Sequence, residues 1–185
     1  TALAGCRIAY LSGITLAILS DAGRDRLLAA LKRARASGCR IVFDPNLRPR
    51  LWTGAAAMRR WIEAAASGAD LVLPSLEDEM THFGDTDDKA TLARYLDLGA
   101  GEVVIKNGGE PIRFGGAQGV GVVGDLERAT PIDTTSAGDA FNAGYLAASL
   151  GGAGPEDAIR AGHALSRKVI AHPGALVREA VAAPD

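Results

Sequence analysis

Short apolar runs alternate with amphipathic stretches along this chain. Residues 8–11 form an apolar run of strand length. Residues 21–36 follow, with Leu27, Leu28 and Leu31 recurring on one helical face and Ser37-Gly38 marking the stop. Residues 41–44 predict a second strand, ended by Pro45. Thr53 is expected to cap a helix running to residue 66, with Met58, Trp61 and Ile62 facing inward. A third strand covers 71–73, and Pro74-Ser75 opens a short helix to residue 83. A helix over 87–98 leads to a strand over 103–106, and the Gly-rich stretch 112–123 predicts a hairpin. Residues 129–132 read as strand-like. Helices over 137–150 and 155–171 complete the chain, the first carrying Phe141, Tyr145, Leu146 and Leu150 before Gly151-Gly152.

This alternation of strand and helix predicts an α/β fold, a mainly parallel sheet with helices on both faces. Residues 1–185 read as a single domain without internal repeat or linker. Ligands of such sheets bind beyond the carboxyl ends of the strands. Four polar segments fall there: 44–50, 75–79, 106–109 and 133–139. Their positions lead to the expectation of a shared cleft.

Composition narrows the classes. The chain is 48% hydrophobic and 23% charged, which excludes a disordered polypeptide. A net charge of -2 argues against a nucleic-acid or polybasic membrane surface. Two cysteines, Cys6 and Cys39, are too few for a disulfide framework or metal cluster, so buried free thiols in a reducing cytoplasm are expected. No run is long and apolar enough to span a membrane, and the first residues do not form a signal peptide. The chain lacks an initiating Met and runs straight into a strand, so the native protein is expected to be longer.

The most chemically specific stretch is 133–144, Asp-Thr-Thr-Ser-Ala-Gly-Asp-Ala-Phe-Asn-Ala-Gly. A helix start leaves backbone N–H groups without intrahelical partners and carries partial positive charge, so it holds anions. Small Ser136, Ala137 and Gly138 would let an anion approach the main chain. Asp139 then sits beside an anion site. With a hydroxyl between carboxylate and anion, the arrangement describes a general base for phosphoryl transfer. The plainer alternative is an Asp that only complements the positive end of a helix.

Over residues 133–146 the chain resembles the signature of the ribokinase-like (PfkB) carbohydrate kinases. Segments 11–15, 43–52, 73–79 and 104–108 are most similar to the 2-keto-3-deoxygluconate kinase branch. The resemblance covers essentially all 185 residues but only the C-terminal part of the family's length. It implies a ribokinase-like fold whose N-terminal strands and β-lid are missing here, leaving an unpaired sheet edge. It also implies transfer of the γ-phosphoryl group of ATP to a sugar hydroxyl, with Mg2+ and with K+ as a candidate further ion. By resemblance, Asp139 is the catalytic base, and Ser136, Ala137 and Gly138 form the anion hole. Asp133 and Thr135 lie beside a monovalent-cation site. Arg48, in the pattern Asp-x-Asn-x-Arg, would bind a substrate carboxylate, which a planar guanidinium grips bidentately. Asn46 would contact phosphate or substrate. Arg48 as a surface residue pairing with Asp or Glu is the structural alternative, and Arg50 and Trp52 are open between packing and solvent.

The resemblance also implies nucleotide contacts from Lys106, Gly108, Gly138, His163 and Gly174. Against this, Lys106 could simply end an edge strand and His163 could be a packing residue. The family's Asn-x-x-Glu motif, which organises magnesium through water, is matched by Ser75 and Asp78, so Asp78, Glu77 or Glu79 would share that task. Ser75 as a helix cap with acidic residues in the first turn is the competing reading. Partners are thus expected to be ATP and a sugar acid, with subunit pairing in the full-length protein left open. Two other readings stay in view: a fructokinase or ribokinase, and a non-catalytic nucleotide-binding remnant.

Overall fold

The computed structural model describes residues 3–180. Six strands form one sheet in chain order: β1 (Ile8–Ser12), β2 (Arg40–Asp44), β3 (Leu71–Val72), β4 (Glu102–Ile105), β5 (Ile112–Gly116) and β6 (Gly119–Val123). The first four strands run parallel, and β5 returns antiparallel to β4. The helices are α1 (Gly13–Ala17), α2 (Asp21–Ala36), α3 (Ala55–Ala66), α4 (Leu76–Phe83), α5 (Asp88–Asp97), α6 (Ala137–Leu150) and α7 (Pro155–Ile170). This is the mainly parallel α/β arrangement that the apolar runs predict.

The described chain divides into two compact units. The first holds residues 3–106 and 113–120, the second 107–112 and 121–180. In the first, side chains alternate across the sheet as extended backbone requires. Ile41, Phe43, Val72, Val103 and Ile105 join a core with Leu31 of α2, Met58, Trp61 and Ile62 of α3, and Tyr95 of α5. Val42, Leu71 and Val104 alternate with them and are just as fully buried. Burial on both faces explains why these strands read as continuous apolar runs, each such side chain contributing about 1.5–3 kcal/mol.

Three local expectations are corrected, and one short helix is added. Directly after β1 the chain forms the short helix α1, which the apolar pattern does not mark. Gly13 is required there, because a Cβ would collide with the Pro45 carbonyl oxygen, so α1 lies directly on the chain leaving β2. Gly54, not Thr53, caps α3. Residues 129–132 form no strand: Pro131 has no N–H to give a ladder, and Ile132 is 69% exposed. The two thiols are not free either. Cys6 and Cys39 are joined in a disulfide, with Cα atoms 5.5 Å apart. They meet because β1 and β2 are parallel neighbours in the register Ile8 to Arg40, which brings the residues before each strand side by side.

A buried Arg24 ties α2 to α1. Its guanidinium donates to the carbonyls of Leu16 (2.7 Å) and Ala17 (3.1 Å), which end α1. It also lies over the Trp52 ring at 4.9 Å, so Trp52 is a packing residue while Arg50 is exposed. In the second unit α6 packs on α7. A Cβ on Gly144 would come within 2.8 Å of the Ala161 carbonyl, so only glycine permits this approach.

Candidate functional site

In the first unit, β2 ends at Asp44, and the chain beyond β4 ends its sheet pairing at Lys106, which bridges in parallel to Ser75. Both side chains follow apolar strands, so both are carried to the carboxyl edge of the sheet and buried there. The Lys106 ammonium donates to Asp44 Oδ2 at 3.1 Å, with side-chain exposures of 10% and 3%. Tyr10 donates its hydroxyl to the same oxygen at 3.4 Å. The other oxygen, Oδ1, accepts the Asn46 N–H at 3.1 Å. This carboxylate therefore closes a turn in which Asn46 takes φ +36°, a left-handed conformation that Asn tolerates better than most residues. Lys106 does not end an edge strand, because β4 lies between β3 and β5.

Arg48 leaves this turn exposed. One guanidinium N–H donates to the Leu47 carbonyl at 2.7 Å, and the remaining donors have no protein acceptor among the described residues. Arg48 lines an open cavity of about 500 Å3 together with Ile14, Pro49, Arg50 and Leu51. Asp78, in the first turn of α4, feels it: burial pushes the Asp78 carboxyl up, and Arg48 is the largest opposing charge. Glu77 is exposed. Ser75 precedes α4 as its N-cap, without a side-chain capping bond.

Glu79 has a different fate. It is fully buried, accepting from Arg94 at 2.7 Å and from the Tyr95 hydroxyl at 3.0 Å. Burial pushes its carboxyl up to about 7 against the pull of Arg94. Burial works most strongly against the charge of Arg94, but the hydrogen bond to Asp85 and the neighbouring Tyr95, Glu79 and Asp85 together hold its pKa above the ordinary value. Glu79 is thus committed to the core, and Asp78 and Glu77 are the carboxylates left at the strand ends. Among the described residues no three His, Cys, Asp or Glu side chains gather as direct metal ligands. Asp78 and Glu77 fit magnesium, which keeps several waters and needs only one or two carboxylates beside substrate phosphates.

In the second unit the site is made mostly of backbone. Asp133 Oδ1 accepts the Thr135 N–H and Oδ2 accepts the Gly174 N–H, both at 2.8 Å. The Thr135 hydroxyl and these N–H groups hold the Asp133 carboxyl below its ordinary range. Each oxygen of this ionised carboxylate keeps lone pairs beyond its N–H bond, which a hard monovalent cation could use. Ser136 then takes φ +60° and caps α6 without a side-chain bond. The Ala137 N–H donates to the Thr134 carbonyl at 3.1 Å. The N–H groups of Gly138 and Asp139 have no protein acceptor among the described residues, and the Asp139 side chain is exposed in the first turn. The Ser136 N–H is likewise open, so within the small-residue run Ser136, Ala137 and Gly138 only Ala137 has its N–H engaged by the protein among the described residues.

His163, on α7, is buried, and its Nε2–H donates to the Glu127 carbonyl at 2.8 Å. Gly108 has φ +57° in the segment leaving Lys106, and Gly174 has φ +83°. The structure thus brings Gly174 to Asp133 and gives the His163 Nε2 proton a backbone partner. Sequence reasoning missed Asp44 as the partner of Lys106. The signal was present: an acid and a base, each following a run of three apolar residues, both too deep to remain unpaired.

The chain belongs to the pfkB family of carbohydrate kinases, whose family model matches residues 2–179. It is 40% identical over 179 residues to 2-dehydro-3-deoxygluconokinase of Escherichia coli K12, an alignment covering 94% of this chain and 58% of that protein. Its structure is similar to that of a PfkB protein from Polaromonas sp. JS666, with a TM-score of 0.78 and 32% identity, covering 96% of this chain and 57% of the other. It is also similar to a double mutant of Vibrio cholerae O395 fructokinase in a form bound to fructose, ADP and potassium ion. There the TM-score is 0.80 at 25% identity, covering 92% of this chain and 56% of the other. The chain thus spans little more than half the length of these relatives.

Proposed function

We propose that this chain is the nucleotide-binding C-terminal part of an ATP-dependent sugar kinase acting on 2-keto-3-deoxygluconate. The observation that carries the reading is the start of α6, where unpartnered Gly138 and Asp139 N–H groups stand beside an exposed Asp139 carboxylate. Asp139 takes the proton of the attacking sugar hydroxyl. The hydroxyl oxygen bonds to the γ-phosphorus, the bond to the bridging oxygen breaks, and ADP leaves. The backbone donors hold the charge on the transferring group, and in such reactions positioning and charge stabilisation supply most of the acceleration. Potassium beside Asp133 and Thr135 would add to the positive field of the helix start. Magnesium, reached through water from Asp78 and Glu77, would neutralise the phosphates.

The choice of sugar rests on Arg48. Its free guanidinium N–H groups suit a carboxylate, which a 2-keto-3-deoxy acid has and fructose or ribose lacks. The similarity to a fructokinase keeps a neutral sugar as the second reading. Kinetics of the full-length protein separate them. With an acid substrate, Arg48→Ala should raise KM by about 10–100-fold, the loss of a charge-assisted bidentate contact. A neutral-sugar kinase would keep its KM within a few-fold.

A further inference from the structure

Lys106 carries a second role, distinct from the nucleotide contact that its family position suggests. Its ammonium is spent on Asp44 at 3.1 Å in a site with almost no solvent. Asp44 is used on both sides: Oδ2 takes Lys106 and Tyr10, and Oδ1 takes the Asn46 N–H. The Asn46 turn sits at φ +36° and is followed two residues later by Arg48. A left-handed non-glycine turn persists only where its surroundings over-determine it. Here two groups do so: the Asp44 carboxylate that accepts the turn's N–H, and α1, on which Pro45 packs with no room for a Cβ at Gly13. A buried carboxylate deprived of its cation would rearrange toward water and release that N–H.

We propose that Lys106 is a positioning residue for acid-sugar recognition: through Asp44 it fixes the turn that aims Arg48. This inference rests on the reading of Arg48 as the substrate's carboxylate ligand. The chain of contacts runs from the end of one strand, over its neighbour, to the loop of a third. It couples the sugar-acid subsite to the sheet rather than to the nucleotide.

The test combines kinetics and amide exchange on the full-length protein. Lys106→Met should raise KM for the 2-keto-3-deoxy acid about tenfold while the KM for ATP stays within about twofold, and Lys106→Arg should restore much of the difference. Exchange in the peptide 44–50 should accelerate about tenfold, with the strands unchanged. If Lys106→Met does not fold, Asp44→Asn should give the same signature with a smaller size. A rise confined to the ATP KM overturns the proposal and makes Lys106 a nucleotide ligand. Unchanged exchange in 44–50 overturns it whatever the kinetics. If the wild-type protein phosphorylates no sugar acid, the proposed function fails, and the exchange measurement alone decides whether Lys106 holds the turn.

Discussion

The two units build their candidate chemistry from different materials. In the first, charged side chains are held by buried partners: Lys106 on Asp44 at the strand ends, and Arg94 of α5 on Glu79 and Asp85. In the second, the working groups are main-chain N–H donors and exposed carboxylates, with turn geometry set by Asp133 and a left-handed Ser136. Buried pairs give rigid placement at the cost of desolvation, so removing one partner leaves an uncompensated charge. A helix start needs no burial, because its field is built into the backbone. The first unit should therefore be sensitive to charge and pH, and the second to backbone conformation and to its one acid–base group.

The largest effect is expected at Asp139. In the full-length protein, Asp139→Asn should lower kcat by about 10²–10⁴-fold, the ordinary contribution of a general base, with ATP affinity nearly retained. Turnover within a few-fold of wild type would reduce the second unit to an anion site without a base.

Next comes the buried carboxylate of the first unit. Burial raises Glu79 to about 7 in the folded protein. A raised pKa means that the folded state holds the proton more tightly. Its contribution to stability is then fully present below the ordinary carboxyl range and lost as pH rises toward 7, with a slope of at most about 1.4 kcal/mol per pH unit. Urea unfolding at a series of pH values should show this decline, and Glu79→Gln should flatten it. Stability that instead climbs through the same window would mean that the pair with Arg94 outweighs burial.

The smallest effect is expected at Ser136. Its left-handed conformation is strained for any residue with a Cβ. Ser136→Gly should raise stability by about 0.5–1 kcal/mol, the relief of that strain less the entropy glycine adds to the unfolded chain. A loss of stability in the same unfolding experiment would show that the hydroxyl, and not the backbone alone, supports the start of α6.

Much of this was legible beforehand, for definite reasons. Residues 41–44 and 103–106 read as strands because both faces of a parallel sheet are buried, and α2 read as a helix because Leu27, Leu28 and Leu31 repeat at helical spacing. The Asp133–Gly144 stretch announced a helix start with a carboxylate in its first turn, which is local chemistry. Strand-like residues 129–132 misled because apolar character stood in for a partner strand that the fold does not provide. The free-thiol expectation failed similarly, since 33 residues separate Cys6 from Cys39 and only strand pairing brings them together. Glu77, Asp78 and Glu79 are three neighbouring acids by sequence, yet helical geometry sends Glu79 into the core, leaves Asp78 half-buried and leaves Glu77 exposed.

The sequence by itself determined the order of strands and helices, the polar residues at strand ends, and the donors and carboxylate at the start of α6. Each depends on residues near in the chain, through periodicity, capping and backbone freedom. Tertiary structure alone decided which charges neutralise one another. Lys106 and Asp44 are 62 residues apart, and their pairing follows from the parallel register that sets the strand ends together at one edge. Whether a lysine is free for a ligand or committed to a neighbour is a property of that arrangement, because burial makes an unpaired charge too costly to keep.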